Sequence, residues 1–241
     1  MKNFLKHYVE EPGRERNSGS YPGPVVLISR ECGCSAKRIA TKLSKILSGY
    51  SYQSATKTDI EWKWVSKEII EEAAKELELT PEKIKNVFQA EAKSSLHELS
   101  TAFSTDKVYD AEDQEIIDTV KDVIYRIAEE GHSIIVGRAA AIIAREIPQK
   151  LSIKLQAPLE WRINRIMQIS DMSRSDAQEH VLEVDRQRDL FVEHVAGREM
   201  NNNDYDLIFN YSTMRDDYIV DAIINILKNR RMIVSQDETD L

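Results

Sequence analysis

A short segment of this chain places small and basic residues between a predicted strand and a predicted helix. It runs Ser29-Arg30-Glu31-Cys32-Gly33-Cys34-Ser35-Ala36-Lys37-Arg38 and follows the apolar run Val25-Val26-Leu27-Ile28. Backbone N–H groups that converge at a helix start can bind phosphate, and the common spacing of such a loop is G-x-x-x-x-G-K-[ST]. With Lys37 as the motif lysine, Ala36 and Glu31 occupy the glycine positions. The segment is therefore a candidate phosphate loop, with an ordinary capped turn carrying solvated basic residues as the alternative.

Arginines form the second set of residues that could do chemistry. Arg138 follows Gly137 and the buried run 133–136, which places it at the end of a predicted strand. Two polar helices carry Arg162, Arg165, Arg186 and Arg188. Phosphoryl transfer needs positive charge around the moving phosphoryl group, and arginines supply it. Long helices also carry arginines that only meet solvent, so surface charge is the alternative for each of these four.

An alternation of strands and helices would position these residues. Buried or alternating runs predict strands at 25–28, 60–65, 133–136, 151–155 and 207–209. The clearest helical stripe between them consists of Ile116, Ile117, Val120, Val123, Ile124 and Ile127. Ser173, with Asp176 three residues later, predicts the start of a long charged helix. This order predicts an α/β fold with a three-layer parallel sheet, in which ligands bind at the carboxyl ends of the strands.

Composition excludes several classes of protein. The chain has 241 residues, of which 41% are hydrophobic and 31% are charged, and this balance is typical of a folded domain. Lys and Arg total 33 against 41 Asp and Glu, and the net charge of -8 argues against a protein that binds duplex nucleic acid. No apolar run approaches the roughly 20 residues that a membrane span needs, so we expect no membrane partner.

The ends of the chain and its thiols predict its organisation and location. Residues 1–24 contain three glycines and three prolines but no apolar stretch of signal-peptide length, which predicts a flexible leader and a cytoplasmic protein. The folded domain is expected at 25–228, followed by a polar tail at 229–241. Cys32 and Cys34 are too few for a disulfide framework or a structural zinc site, and the five histidines show no metal-binding spacing.

Several blocks of the sequence resemble one family in the same order along the chain. Ile28 to Ala40 is similar to the opening I-S-R-E-x-G-S-G-G-R-x-I-A of the cytidylate kinase-like proteins, which are relatives of the nucleoside monophosphate kinases within the P-loop fold. The resemblance continues through Trp64 to Ile70, Ile134 to Ala140, Ala157 to Ile166, Val184 to Arg188 and Tyr205 to Asn210. It implies a P-loop NTPase type of sheet, with an acceptor-binding helical insertion at about 66–110 and a lid at about 158–198.

The resemblance also implies a role for each candidate site residue. The phosphates of the donor ATP, with Mg²⁺, would be held by Ser29, Gly33, Cys34, Ser35, Ala36, Lys37 and Arg38. The acceptor nucleoside monophosphate would be bound by Arg138 and Asp185. The catalytic charges would come from Lys37, Arg162, Arg165, Arg186 and Arg188, the arginines forming the lid. No residue is assigned as a metal ligand, and no oligomeric state is predicted.

The sequence departs from the family pattern at three positions. Ser35 and Ala36 replace two glycines, and their side chains restrict the backbone of the loop. Ala139 stands where better-known cytidylate kinases have an aspartate. The leading hypothesis is ATP-dependent phosphoryl transfer to a nucleoside monophosphate, CMP or dCMP. The alternatives are a catalytically degenerate nucleotide-binding or regulatory protein on the same fold, and a module that only contacts a protein partner.

Overall fold

The computed structural model describes residues 23–53, 60–87 and 111–233. The strands in these ranges are β1 (Val25–Arg30), β2 (Lys63–Val65), β3 (Ser133–Val136), β4 (Lys150–Gln156) and β5 (Leu207–Asn210). The helices are α1 (Ala36–Gln53), α2 (Lys67–Glu76), α3 (Pro81–Val87), α4 (Ala111–Glu130), α5 (Ala140–Ile143), α6 (Leu159–Ser170), α7 (Arg174–Ala196) and α8 (Asp216–Asn229). A short 3-10 helix, Asn202–Asp204, precedes β5.

The five strands form one parallel sheet in the order β2-β3-β1-β4-β5. In the register of the sheet, Val25 at the start of β1 lies opposite Ser133 of β3 and Lys150 of β4. Because all the pairings are parallel, every strand ends at the same edge of the sheet. The predicted parallel α/β sheet is confirmed, and the segments that follow β1, β3, β4 and β5 meet at this carboxyl edge.

Helices cover both faces of the sheet, which gives the three predicted layers. Side chains of β1 alternate between the faces, as a strand requires. Val25 and Leu27 are fully buried in a core cluster that α2, α3, α4 and α5 complete, whereas Val26 and Ile28 are buried in a second cluster with α1 and α8. Burial of β1 on both faces explains why the sequence is apolar at every position from Val25 to Ile28.

Helices α6 and α7, which make up most of the predicted lid, pack against each other near the carboxyl edge. The Ser173 side chain accepts a hydrogen bond from the Asp176 N–H, as the sequence predicted. Ile163 of α6 and Val181 of α7 lie in a third apolar cluster, and Phe191, further along α7, is buried in the cluster with α4 and α5. Helix α7 therefore contacts both α6 and the main body of the fold.

The structure shortens one predicted strand. The sequence predicted a strand over 60–65, but pairing begins only at Lys63, whose N–H donates to the His132 carbonyl. Trp62 is buried against the His132 ring, with the ring centroids 5.6 Å apart, and stands outside the ladder. Strand β2 pairs only with β3, which has four residues, so its length is limited by its neighbour.

The described part of the predicted insertion contributes to the main core. Ile69 and Ile70 of α2 and Ile84 of α3 are buried in the same cluster as α4. Residues 88–110 of the insertion, most of the predicted leader and residues 234–241 of the predicted tail lie outside the described residues. Within the described ranges, no helix combines the length and the hydropathy that a membrane span requires.

Candidate active site

The candidate phosphate loop joins β1 to α1 and is anchored by buried side chains. Cys32 packs in the cluster of α6 and α7, whereas Cys34 and Ala36 pack in the cluster under α1. Burial raises the pKa of Cys32 and raises that of Cys34 to about 12, so both thiols stay protonated and act as small apolar anchors. Gly33 has a φ of +88°, and a Cβ there would lie 3.3 Å from the Cβ of Arg162.

One backbone donor of this loop binds a carboxylate of the protein. The Cys32 N–H donates to Oδ1 of Asp185 on α7, at 2.7 Å. The Cys34 N–H turns back to the Glu31 carbonyl, at 3.2 Å. A carboxylate at the N-terminal end of a helix is bound by the same dipole and N–H groups that bind phosphate. Asp185, predicted to contact the acceptor nucleotide, therefore meets the candidate phosphate loop directly.

Arg162 connects the loop to α7. Its Nε donates to the Ala157 carbonyl at 2.9 Å and lies 3.2 Å from Glu31 Oε2, while its Nη1 forms an ion pair with Asp185. Glu31 also accepts the Ala157 N–H at 2.9 Å. The Arg162 side chain is 11% exposed, which is unusual for an arginine and is explained by these partners. We call Glu31, Arg162 and Asp185 the carboxylate clamp.

Three further arginines converge where the strands end, and we call Arg30, Arg138 and Arg188 the arginine cluster. Nη1 of Arg188 donates to the Arg30 carbonyl at 3.3 Å and lies 3.5 Å from Asp185 Oδ1. Burial and the charges of Arg188 and Arg138 lower the pKa of Arg30 to about 9, and burial and Arg188 lower that of Arg138 to about 10. Like charges held in a poorly solvated place stabilise a bound anion.

The backbone directs Arg138 into this cluster through a left-handed turn. Gly137, Arg138 and Ala139 have φ angles of 79°, 58° and 57° in succession. Non-glycine residues in this region cost free energy and are found mainly at functional sites. Helix α5 begins at Ala140, directly after this left-handed turn. A Cβ on Gly137 would lie 1.8 Å from Nη1 of Arg30, so the guanidinium packs directly on the glycine.

The arginine cluster lines a cleft of about 630 Å³, which we call the first cleft. Ser29 and Tyr205 both line it. Lys154 of β4, which stands opposite Ser29 in the sheet, has its Nζ 5.8 Å from the centre of the Tyr205 ring. The residue-by-residue assignments did not include Lys154, Tyr205 or Arg30. Arg30 lay within the candidate phosphate loop 29–38, but the predicted strand ended at residue 28, so the sequence did not indicate that Arg30 ends β1 at the ligand-binding edge.

Two predicted basic residues of the loop face another cleft. This second cleft, of about 710 Å³, is lined by Lys37, Arg38, Trp64, Ser66 and Lys67, among others, and Arg30 belongs to both clefts. Lys37 is exposed, with its Nζ 5.8 Å from the centre of the Trp64 ring. Nε of Arg38 lies 2.8 Å from Oδ2 of Asp216. Lys37 and Arg38 therefore share the second cleft with Arg30 but do not line the first cleft, where Arg138 and Arg188 lie.

The remaining predicted arginines divide between the first cleft and a separate location. Arg186 lines the first cleft and makes two 2.8 Å hydrogen bonds to Glu183. Arg165 lies over the ring of Trp161, 5.5 Å from its centre, and does not join the arginine cluster. Trp161 in turn meets Tyr211, whose hydroxyl donates to Oδ1 of Asp216 in α8 at 2.8 Å. Arg165 is thus linked to the start of α8 through the rings of Trp161 and Tyr211.

The residues present fit a nucleotide phosphate better than they define a metal site. The arginine cluster offers guanidinium groups, which match phosphate oxygens in charge and geometry. Among the described residues, no group of three or more His, Cys, Asp or Glu side chains is placed to hold a metal ion. Of the carboxylates that line the first cleft, Glu31 and Asp185 are both paired with Arg162. Magnesium commonly binds through substrate phosphates with one or two carboxylates, and no protein ligand is assigned here.

Comparison with known proteins places this site in a family. A structure of an uncharacterized protein from Eubacterium ventriosum is similar at a TM-score of 0.60 and 20% identity, over 86% of this chain and 98% of that chain, and shows the same fold. Shikimate kinase from Bacteroides thetaiotaomicron matches with a TM-score of 0.46 and 10% identity, over 85% of this chain and 98% of that chain. No curated protein matches the chain. The family model described as "Cytidylate kinase-like family" matches residues 25–213, and the chain belongs to that family.

Proposed function

We propose that this protein transfers a phosphoryl group from ATP to a nucleoside monophosphate, with CMP or dCMP as the acceptor. The observation that carries the proposal is the arginine cluster beside the candidate phosphate loop, at the edge where parallel strands end. Membership of the cytidylate kinase-like family supports a nucleotide kinase-like function. The choice of acceptor base rests on the family resemblance alone.

The roles of the residues follow from their positions. The candidate phosphate loop receives the donor phosphates, and Arg138 binds the phosphate of the acceptor from the left-handed turn after β3. Arg188 on α7 reaches the same place and stabilises the charge on the moving phosphoryl group. Bound Mg²⁺ supplies further neutralisation of the phosphate charges. Helix α7 lines the first cleft, and it would exclude water from the substrates when it closes over them.

Asp185 and Arg162 act as positioning residues in this scheme. The Asp185 carboxylate accepts a hydrogen bond from the Cys32 N–H of the loop, and its Oδ1 lies 3.5 Å from Nη1 of Arg188. Arg162 fixes that carboxylate and the loop residue Glu31 at once. Donor phosphates that enter the loop compete with Asp185 for the Cys32 N–H, so substrate binding and the position of α7 are coupled.

A second function has one observation in its favour. Because the Asp185 carboxylate already binds the loop at 2.7 Å, the protein itself supplies the anion that a phosphate loop would otherwise take from the substrate. A regulatory protein that binds a nucleotide without turning it over would need the arginine cluster, and it could keep the contact between Asp185 and the loop. Turnover separates this possibility from the proposed kinase.

The test is one titration panel with turnover measured on the same protein. Calorimetry with ATP, ADP and the four ribonucleoside monophosphates, together with CMP and dCMP phosphorylation assays, would identify the donor and the acceptor. We expect ATP-dependent conversion of CMP or dCMP to the diphosphate. Tight nucleotide binding with no turnover of any monophosphate would support the second function. If the protein binds none of these nucleotides, both the kinase function and the second function are contradicted.

A further inference from the structure

We propose that Arg30, the last residue of β1, supplies the phosphate-binding positive charge that the loop motif assigns to Lys37. The proposal rests on the proposed phosphoryl transfer and names the residue that holds the donor phosphates. Arg30 lies at the strand end of the candidate phosphate loop, as the last residue of β1, whereas Lys37 lies at its other end, in the first turn of α1. The charge would therefore reach the phosphates from the strand side of the loop instead of the helix side.

The position of Arg30 is the first argument. It is the residue at which β1 reaches the carboxyl edge, and it lines both clefts, so it lies in the wall that they share. Its Nη1 packs on Gly137, next to the left-handed turn that carries Arg138. Arg188 contacts its backbone carbonyl from α7. One side chain thus stands between the loop, the acceptor arginine and the predicted lid.

The charge balance around Arg30 is the second argument. No carboxylate in the described ranges forms an ion pair with Arg30, and the nearby Asp185 is already shared between Arg162 and Arg188. Burial and two neighbouring arginines disfavour the guanidinium charge. A buried charge without a partner costs free energy, and a phosphate removes that cost by forming charge-assisted hydrogen bonds. An anion bound between Arg30, Arg138 and Arg188 would relieve that cost.

The direction of Lys37 is the third argument. In the first turn of α1, Ala36, Ile39 and Ala40 are buried, so the helical period turns positions 37 and 38 outward. Lys37 accordingly lies over Trp64 and Arg38 pairs with Asp216. Lys37 and Arg30 both line the second cleft, but of the two only Arg30 also lines the first cleft, with Arg138 and Arg188.

The experiment compares Arg30→Met, Arg30→Lys and Lys37→Met in the full chain. Calorimetry with ATP and with inorganic tripolyphosphate measures phosphate binding without any requirement for turnover. Loss of a charge-assisted contact predicts that Arg30→Met weakens binding of both ligands by at least about tenfold. Arg30→Lys should recover part of that loss, because the charge returns without the planar fork. Lys37→Met should weaken binding less than Arg30→Met does.

A matched control is Arg145→Met, which removes an exposed arginine paired with the adjacent Glu146. It should bind ATP like the parent protein. If the thermal transition shows that Arg30→Met does not fold, the ATP affinities of Arg30→Lys and Lys37→Met are compared instead. A larger loss of ATP affinity in Lys37→Met than in Arg30→Lys overturns the inference. Parent-like binding of ATP and tripolyphosphate by Arg30→Met also overturns it.

The outcome separates this inference from the proposed function. A parent that phosphorylates CMP or dCMP while Arg30→Met keeps full ATP affinity leaves the kinase proposal intact and refutes the role of Arg30. A parent that turns over no monophosphate, but whose ATP affinity falls in Arg30→Met, refutes the kinase proposal and supports Arg30 as the phosphate ligand. A parent that binds neither ATP nor tripolyphosphate contradicts both.

Discussion

Removal of the Arg162 guanidinium should destabilise the protein through the carboxylate clamp. Arg162→Met keeps the length of the side chain and deletes its contacts with Glu31, Asp185 and the Ala157 carbonyl. Removal of one partner from a buried pair costs about 3–5 kcal/mol, because the other charge loses its compensation. Here the side chains of Glu31 and Asp185 are 26% and 19% exposed, so water recovers part of that cost. We expect a loss of about 3 kcal/mol in the free energy of unfolding.

Urea unfolding measures this loss directly, from the midpoint and the slope of the transition. For a chain of this size, the expected loss corresponds to a fall of about 6–12 °C in the melting temperature. The matched control is Arg174→Met, since Arg174 pairs with Glu160 across exposed side chains, 53% and 67% accessible. An exposed pair of this kind contributes about 0–1 kcal/mol. The two variants remove the same group and differ in the burial of its partners.

A double-mutant cycle assigns the loss to the ion pair. In the Asp185→Asn background, Arg162→Met should cost about 1–3 kcal/mol less than it does in the parent, because the unpaired carboxylate is no longer present. Equal losses in the two backgrounds would mean that the packing of the Arg162 side chain, and not its charge, stabilises the fold. If Arg162→Met is no more destabilising than Arg174→Met, the clamp does not hold the loop and α7 together.

Three further predictions follow from the site and the sheet. Arg138→Ala should weaken nucleoside monophosphate binding by about 1.5–3 kcal/mol in calorimetry, since a charged hydrogen bond is lost; unchanged affinity would remove Arg138 from the site. Arg188→Ala should lower kcat more than it weakens nucleotide binding, because its charge is needed most in the transition state; equal kcat would exclude that role. Burial lowers the pKa of His132 in the folded protein, so the unfolded chain binds the proton more tightly than the folded chain does. The contribution of neutral His132 to the free energy of unfolding is therefore fully present above about pH 6.5 and is lost as the pH falls below that value. His132→Gln should therefore show a shallower loss of stability in urea between about pH 7 and 5, and parallel pH profiles would contradict this.

Local sequence signals were sufficient to predict the layered fold. The run Val25 to Ile28 is apolar at every position because both faces of β1 are covered, and that requirement is visible without coordinates. Ser173 and Asp176 predicted a helix start through a hydrogen bond that spans three residues. Strand β2 was predicted too long because its first paired residue, Lys63, depends on β3, a partner that is distant in sequence.

The site was predicted in part because the fold brings certain positions together. Arg138 follows β3, and the candidate phosphate loop follows β1, so the parallel sheet places them at one edge. Asp185 and Arg188, three residues apart, share one side of α7. Membership of the cytidylate kinase-like family, suggested by the ordered blocks, is confirmed. The shared edge follows from the parallel alternation of strands and helices, and the shared side of α7 follows from the helical period, so both could be predicted from the sequence.

The sequence by itself determined the alternation of strands and helices, the place of the loop and the supply of arginines near it. Only the tertiary structure decided which arginines meet: Arg30 enters the cluster, Lys37 turns to Trp64, and Arg162 is buried between Glu31 and Asp185. The direction of a side chain depends on which neighbours bury the rest of its element, and a charge is compensated by residues far away in the chain. Both are properties of packing, so no local pattern of residues specifies them.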